Sequence, residues 1–365
     1  MEAKSSVSHS TLQGVGTSVG SSVLAAVKHL PSVRWLSSAM ETKLLHRLAV
    51  VQYILSFLLM GPVCIIVLLY LLYTSCWWVT ALYCLWLALD WNTHKQAGRR
   101  SEWVRNWPVW TYFKDYFPIR LIKTHDLPPN KNYIFGYHPH GIFCFGAFCN
   151  FGTEANKFSE KYPGITPYVA TLSGNFLLPV AREYLMSAGV CPVTHDTIDF
   201  LLSRNGTGNA VIIAVGGAAE SLNSSPGENH ITLRNRKGFV RKALKHGAAL
   251  VPVFSFGENE TYQQVMFADG SVCRRIQKRL QKALGFAICL IRGCRLFSAD
   301  PWGLMPFPKA ITSVVGEPID VPQVSEPSAE EVDRYHALYM SAVQRLFEKE
   351  KTQFGLKKRD TLHIH

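Results

Sequence analysis

Residues 132–141 read Asn-Tyr-Ile-Phe-Gly-Tyr-His-Pro-His-Gly. Asn132–Tyr137 is a short apolar run rich in aromatic residues, which predicts a strand, and the turn His138-Pro139-His140-Gly141 follows it directly. Three further runs of this kind lie downstream: Asn209–Val215 (NAVIIAV), Ala249–Phe256 (ALVPVFSF) and Ala310–Val315. Helical spacing appears between and around them, over 176–187, 197–204, 238–246 and 271–284. Strand and helix in alternation predict an α/β domain with a largely parallel sheet across residues 131–365. The domain ends in an amphipathic helix. Ser328-Ala329-Glu330-Glu331 is its capping box, and Val332, Tyr335, Leu338, Tyr339, Val343 and Leu346 give it an apolar face.

Polar side chains at the carboxyl end of a strand stand where α/β sheets hold ligands. Pro139 stiffens the turn and Gly141 leaves room for close approach, so two imidazoles are held in a tight bend. A neutral imidazole can take a proton from a hydroxyl near neutral pH, the task of a general base. The same pair could instead be structural, capping backbone groups. Zinc fits poorly: His138 and His140 are two apart on an extended turn, without Asp or Glu beside them.

Gly216-Gly217-Ala218-Ala219-Glu220 also follows a strand-like run. The glycines permit a sharp turn from which Glu220 emerges, and a carboxylate beside a histidine can fix its tautomer. The other reading is a solvated loop glutamate. Arg236-Lys237-Gly238 opens the helix at 238–246, which Gly247 stops. With Arg234, Arg236, Lys237, Arg241, Lys242 and Lys245, this region could hold phosphates or be a merely solvated face. Residues 271–284 carry Arg274, Arg275, Lys278, Arg279 and Lys282 beside Ile276, Leu280 and Leu284, the pattern of a helix lying on a membrane.

Residues 48–89 contain no Asp, Glu, Lys or Arg. Those 42 residues would extend roughly 63 Å as helix, against the about 20 residues that one span requires, which predicts two spans. The expected hairpin runs over about 48–72 and 76–89, turning at Tyr73-Thr74-Ser75. Basic residues flank both ends (Arg34, Lys43 and Arg47; Lys95, Arg99, Arg100 and Arg105), which predicts two cytosolic termini and a cytosolic catalytic domain. The Ser-, Thr- and Gly-rich start predicts a mostly disordered tail over 1–47 with a short helix at 22–30. Residues 90–130 form an aromatic connector whose Trp103, Trp107 and Trp110 suit either the membrane interface or the core.

The formal net charge of +12 suits anionic headgroups or a polyphosphate ligand such as coenzyme A. With no nucleic-acid motif present, nucleic acid is not an expected partner. Nine scattered cysteines without a CxxC pair fit a reducing compartment.

Several motifs now converge. Tyr116-Phe117-Pro118, His138–Gly141, Arg236–Glu258 (RKGFVRKALKHGAALVPVFSFGE) and Gly316-Glu317-Pro318 resemble the signatures of the type 2 diacylglycerol O-acyltransferase family, which includes monoacylglycerol and wax-alcohol acyltransferases. The resemblance runs from about residue 48 to 356. Phe57-Leu58-Leu59-Met60 looks like its neutral-lipid-binding motif, with Met60 in place of a Leu. The resemblance implies endoplasmic-reticulum and lipid-droplet residence and acyl-CoA-dependent esterification of diacylglycerol, with monoacylglycerol or a long-chain alcohol as alternative acceptors. A non-catalytic lipid-binding role at droplets is the reading of a different class.

It also implies a fold like that of the more distant glycerophospholipid acyltransferases, which place an Asp five residues after the histidine. Here Phe143 and Phe145 stand at that spacing, so the acid must come from elsewhere. On this reading His140 is the base, His138 shapes the turn or donates to the oxyanion, and Glu220 orients the imidazole. The acyl-CoA phosphates lie on the 234–245 region. Acyl-CoA is a co-substrate, and neither cofactor nor metal is required. Homo-oligomers are left open.

Overall fold

The computed structural model describes residues 31–296 and 302–365. Its centre is a seven-stranded sheet of β1 (Arg120–Lys123), β2 (Tyr133–His138), β3 (Thr166–Thr171), β4 (Val190–Pro192), β5 (Asn209–Ala214), β6 (Ala249–Phe256) and β7 (Thr312–Val315). Their order is β1-β7-β6-β2-β5-β3-β4. Every neighbouring pair is parallel except β7 against β6. The expected α/β domain with a largely parallel sheet is therefore observed. β2 and β6 are buried along their whole length, which is why they read as continuous apolar runs rather than alternating ones.

In chain order the main helices are α1 (Pro31–Leu71), α2 (Trp77–Leu89), α3 (Pro108–Tyr116), α4 (Ala181–Ser187), α5 (His195–Ser203), α6 (Gly217–Ser221), α7 (Gly238–His246), α8 (Val272–Leu284) and α9 (Ala329–Glu350). On one face of the sheet, Tyr339, Val343 and Phe347 of α9 pack with Val240 and Leu244 of α7 and Leu201 of α5 over Ile134, Val211 and Leu250. The capping box is present: Ser328 Oγ accepts from Glu331 N–H, and the Glu331 carboxylate accepts from Ser328 N–H.

A second core joins α1 to the domain. Ala49, Val50 and Tyr53 are buried with Trp110 and Phe113 of α3 and with Phe145 and Phe148. The connector's aromatics thus divide, with Trp110 in the core and Trp103 mostly exposed. Phe117 of the Tyr-Phe-Pro motif stacks on Phe145 with ring centroids 4.7 Å apart.

The apolar N-terminal region departs from the expected pair of spans. α1 begins at Pro31, inside the segment expected to be disordered, and its Ala49–Tyr53 turn belongs to the catalytic domain's core. The rest of that expected tail, with its helix at 22–30, lies outside the described residues. Among the described residues one helix, over Met40–Leu71, is long and apolar enough to cross a membrane. The chain turns where expected, with Thr74 Oγ1 donating to Leu71 O, and Thr80 Oγ1 of α2 donates back to Leu68 O of α1. α2, however, has 13 residues, about 20 Å of helix against the roughly 30 Å of a bilayer's hydrocarbon core. It is too short to be a second complete span. The charge-free length was read correctly, but part of it is spent inside the domain and part on the turn.

Candidate active site

Three adjacent parallel strands deliver the site. β2 ends at His138 and leads into Pro139-His140-Gly141. Its neighbour β5 leads into Gly216 and α6. Its other neighbour β6 leads into Gly257-Glu258. All three turns leave from the carboxyl ends of the strands, where a parallel sheet leaves room for ligands.

Glu220 of α6 is buried and accepts two backbone hydrogen bonds. Oε1 takes the N–H of His140 at 2.5 Å, and Oε2 takes the N–H of Thr232 at 2.6 Å. Its carboxylate thus grips the backbone of the histidine turn, and the expectation that it holds the imidazole is corrected. Gly216 makes this possible: a Cβ there would stand 2.1 Å from Glu220 Oε2. Burial pushes the Glu220 carboxyl up to about 7.

The His140 ring is held by other atoms. Nδ1 lies 3.0 Å from the Gly141 carbonyl oxygen and 2.9 Å from Ser221 Oγ. A carbonyl can only accept, so Nδ1 carries the ring proton and Nε2 keeps a lone pair with no partner among the described residues. The side chain is half-buried, and burial lowers its pKa below the ordinary 6.5.

His138 sits differently. It is fully enclosed, and its Nε2 lies 3.0 Å from Tyr339 Oη. The Tyr339 hydroxyl donates to the Gly136 carbonyl at 3.0 Å, so it accepts the Nε2 proton of His138. Among the described residues His138 Nδ1 is buried without a partner, and burial pushes the imidazole down to about 3. The His138–Pro139 peptide bond is cis.

Glu258 is a further buried carboxylate in this cluster. Tyr137 Oη donates to it at 2.8 Å, and the Gly146 N–H donates at 3.1 Å. Burial pushes it up to about 7. It stands directly behind Gly141, whose φ is +62° and whose Cβ would lie 2.7 Å from Glu258 Cγ. Glycine is therefore required there twice over, by conformation and by space. On the membrane side, Tyr53 Oη of α1 donates to Phe143 O at 3.3 Å, and Phe57 meets the Phe143 ring edge-on.

Sequence reasoning gave no role to Ser221, Glu258, Tyr137 or Tyr339. Glu258 could have been found, because it follows its strand across a glycine much as Glu220 does. Tyr339 could not: it is 201 residues from His138 and reads as core.

The expected phosphate patch does not form a single free surface. Lys237 pairs with Asp333 at 2.5 Å, Lys242 pairs with Asp199 at 2.7 Å, and Arg241 Nη1 donates to Pro327 O at 2.9 Å. Arg234 donates weakly to Ile364 O at 3.3 Å. Arg236 is exposed, and its charge acts on Glu220. Gly238 begins α7 with open space around the place of a Cβ, so the fold does not demand glycine there, whereas Gly217 has a φ of +56°. A cleft of about 510 Å³ opens beside Pro139, with Phe254, Phe256 and Phe354 in its walls and Arg120, Lys309 and His230 among its polar lining.

Residues 69–365 match the family model described as diacylglycerol acyltransferase. The chain is 59% identical over 351 residues to diacylglycerol O-acyltransferase 2 of Xenopus tropicalis, covering 96% of this chain and 97% of that protein. It is 58% identical over 346 residues to the human protein of the same name, covering 95% and 89%. It is 50% identical over 320 residues to human 2-acylglycerol O-acyltransferase 3, covering 88% and 94%. A solved 1-acyl-sn-glycerophosphate acyltransferase from Thermotoga maritima aligns over 85% of this chain and 96% of its own, at 12% identity and a TM-score of 0.38, too distant to carry an argument. With a family model over most of its length and relatives matching nearly end to end, the chain belongs to the diacylglycerol acyltransferase family.

Proposed function

We propose that this chain transfers the acyl group of acyl-CoA to the free hydroxyl of diacylglycerol, forming triacylglycerol at the endoplasmic-reticulum membrane and the lipid-droplet surface. The observation that carries this reading is the setting of His140: Nδ1 is tied down, and the Nε2 lone pair is left on a half-buried ring. In that tautomer Nε2 takes the hydroxyl proton, and the alcohol oxygen attacks the thioester carbonyl. The C–S bond breaks, and the coenzyme A thiolate recovers the proton from the imidazolium. General-base assistance supplies about 10²–10⁴ in rate, and holding both substrates in place supplies much of the rest.

Glu220 acts as a positioning residue that fixes the turn, and His138 with Tyr339 locks its stem. Of the basic residues at 234–245, Lys237, Lys242 and Lys245 pair with acids and Arg241 is tied to Pro327 O, so among the described residues Arg234 and Arg236 are left to receive coenzyme A phosphates. The cleft beside Pro139, with phenylalanine walls and a polar lining of both charge signs (Arg120 and Lys309, Glu228 and Glu260), suits the uncharged amide-bearing arm between phosphate and thioester.

α1 and α2 form a hairpin that dips into the bilayer from the cytosolic side without α2 making a complete span, as the basic residues at both ends and the length of α2 favour. Tyr53 and Phe57 bring that hairpin to Phe143, three residues after His140, so an acceptor lipid has a short path from the membrane to the base.

The test is ester formation by the full chain in nanodiscs, from labelled oleoyl-CoA and diacylglycerol, monoacylglycerol or hexadecanol. The expected product is labelled triacylglycerol, with diacylglycerol preferred. Preference for another acceptor would reassign the substrate, and absence of any ester would overturn the reading.

A further inference from the structure

Between the short antiparallel strands Gln263–Gln264 and Ile291–Arg292, the chain leaves the sheet domain on an excursion that contains α8. Ser271 Oγ caps the helix by accepting from Arg274 N–H, and Gly285 ends it with a φ of +78°. α8 touches the domain along a narrow strip, where Arg274 and Gln277 are buried. Among the described residues, most of the rest of its surface is exposed. On one side Val272, Ile276, Leu280 and Leu284 form a stripe four residues apart and 40–61% exposed, which Phe286, Ile288 and Leu290 continue past the helix end. On the other side, Lys278 pairs with Asp269, while Arg275, Arg279 and Lys282 have no acidic partner among the described residues. A bare apolar stripe with a basic flank has the form of a helix seated at a lipid surface.

Packing places this stripe beside the membrane hairpin. A Cβ on Gly61 of α1 would lie 2.8 Å from Leu178, and one on Gly285 would lie 2.8 Å from Leu172. The short segment between those leucines therefore abuts both the hairpin and the end of α8, and its Leu177 is also exposed. Leu178 and Leu172 thus bring the end of α8 close to α1.

The buried strip leads to the site. Arg274 Nη1 donates to Leu222 O at 3.2 Å, and its Nη2 donates to Asn223 Oδ1. Gln264 Nε2 also donates to Leu222 O, at 3.0 Å, and Cys289 Sγ donates to Ser221 O at 3.5 Å. Ser221 is the residue whose hydroxyl holds His140 Nδ1. The excursion is thus fastened to the segment that supports His140.

We propose that α8 with residues 286–290 is a second membrane-docking surface selective for anionic phospholipid headgroups, and that Arg274 passes its seating to Ser221 and so to His140. The second half rests on the acyl transfer proposed above; the first does not. The basic flank meets the headgroup phosphates and carboxylates while the apolar stripe enters the acyl boundary.

The experiment uses the full chain in nanodiscs of phosphatidylcholine alone or mixed with phosphatidylserine. Hydrogen exchange over residues 272–290 is expected to slow in the anionic discs, and kcat/KM for diacylglycerol to rise several-fold. The triple variant Arg275→Gln/Arg279→Gln/Lys282→Gln should lose both differences while keeping the parent rate in neutral discs. Arg274→Gln should keep the protection and lose the rise in rate. Equal exchange in the two discs, or a triple variant that retains the difference, would overturn the docking surface. An Arg274→Gln enzyme that still responds in rate would overturn the transmission. Exchange reads docking without turnover, so a failure of the acyl-transfer reading would be seen separately.

Discussion

Glu220 takes the backbone N–H of His140 at 2.5 Å, while the imidazole of His140 is held by Gly141 O and Ser221 Oγ. This separates two effects that a carboxylate beside a catalytic histidine usually combines. Glu220→Gln puts an amide NH₂ where one of two backbone donors needs an acceptor, at a cost of about 1–3 kcal/mol and with the turn displaced. kcat is expected to fall. The acid limb of kcat/KM should stay where burial of His140 puts it, below pH 6.5, because the carboxylate does not touch the ring. A pH–rate profile of the variant checks this, and a shifted limb would show direct coupling to the imidazole.

Tyr339 ties the C-terminal helix to the stem of the turn through His138 Nε2 and Gly136 O, both at 3.0 Å. Tyr339→Phe leaves both groups buried without that partner and should destabilise the domain by about 1–3 kcal/mol. Thermal unfolding measures the loss. Tyr339 does not reach His140, so kcat should fall far less than in a His140 variant.

Glu258 carries a folded-state value of about 7, above the about 4.3 of an unfolded glutamate. Its contribution to stability is complete below the unfolded value and is lost as pH rises through about 7. Glu220 behaves in the same sense. Glu258→Gln removes one of these contributions, so the midpoint of thermal unfolding should fall less steeply between about pH 5 and about pH 8 than in the parent. An identical slope would exclude Glu258 as a titrating group.

Gly141→Ala forces a side chain into φ +62° with its Cβ 2.7 Å from Glu258 Cγ. Strain at such a position costs about 1–3 kcal/mol, and relief requires the turn to move. Ester formation should drop sharply. Gly238→Ala meets open space and should leave both stability and rate near the parent's.

The sheet was legible where its strands are buried on both sides. Asn209–Ala214 and Ala249–Phe256 appear in the chain as largely apolar runs, His138–Gly141 follows such a run directly, and Glu220 follows one across Gly216-Gly217-Ala218-Ala219. β3 escaped because Thr166–Thr171 carries a proline and two threonines, and β4 because Val190–Pro192 is three residues long. Composition also could not say that Ala49–Tyr53 would turn inward, since a core residue and a lipid-facing one look alike. In the site, residue types near the strand ends were readable, but partner atoms were not. Whether a carboxylate meets a backbone N–H or a ring nitrogen depends on how three separate turns are stacked.

The central claim is that His140, through Nε2, is the base. Its most direct test is the rate of triacylglycerol formation by His140→Gln in nanodiscs, from labelled oleoyl-CoA and diacylglycerol, with folding confirmed by the parent's unfolding midpoint. The account predicts a folded protein slowed by about 10²-fold or more. A folded His140→Gln enzyme that makes triacylglycerol at the parent rate would contradict it.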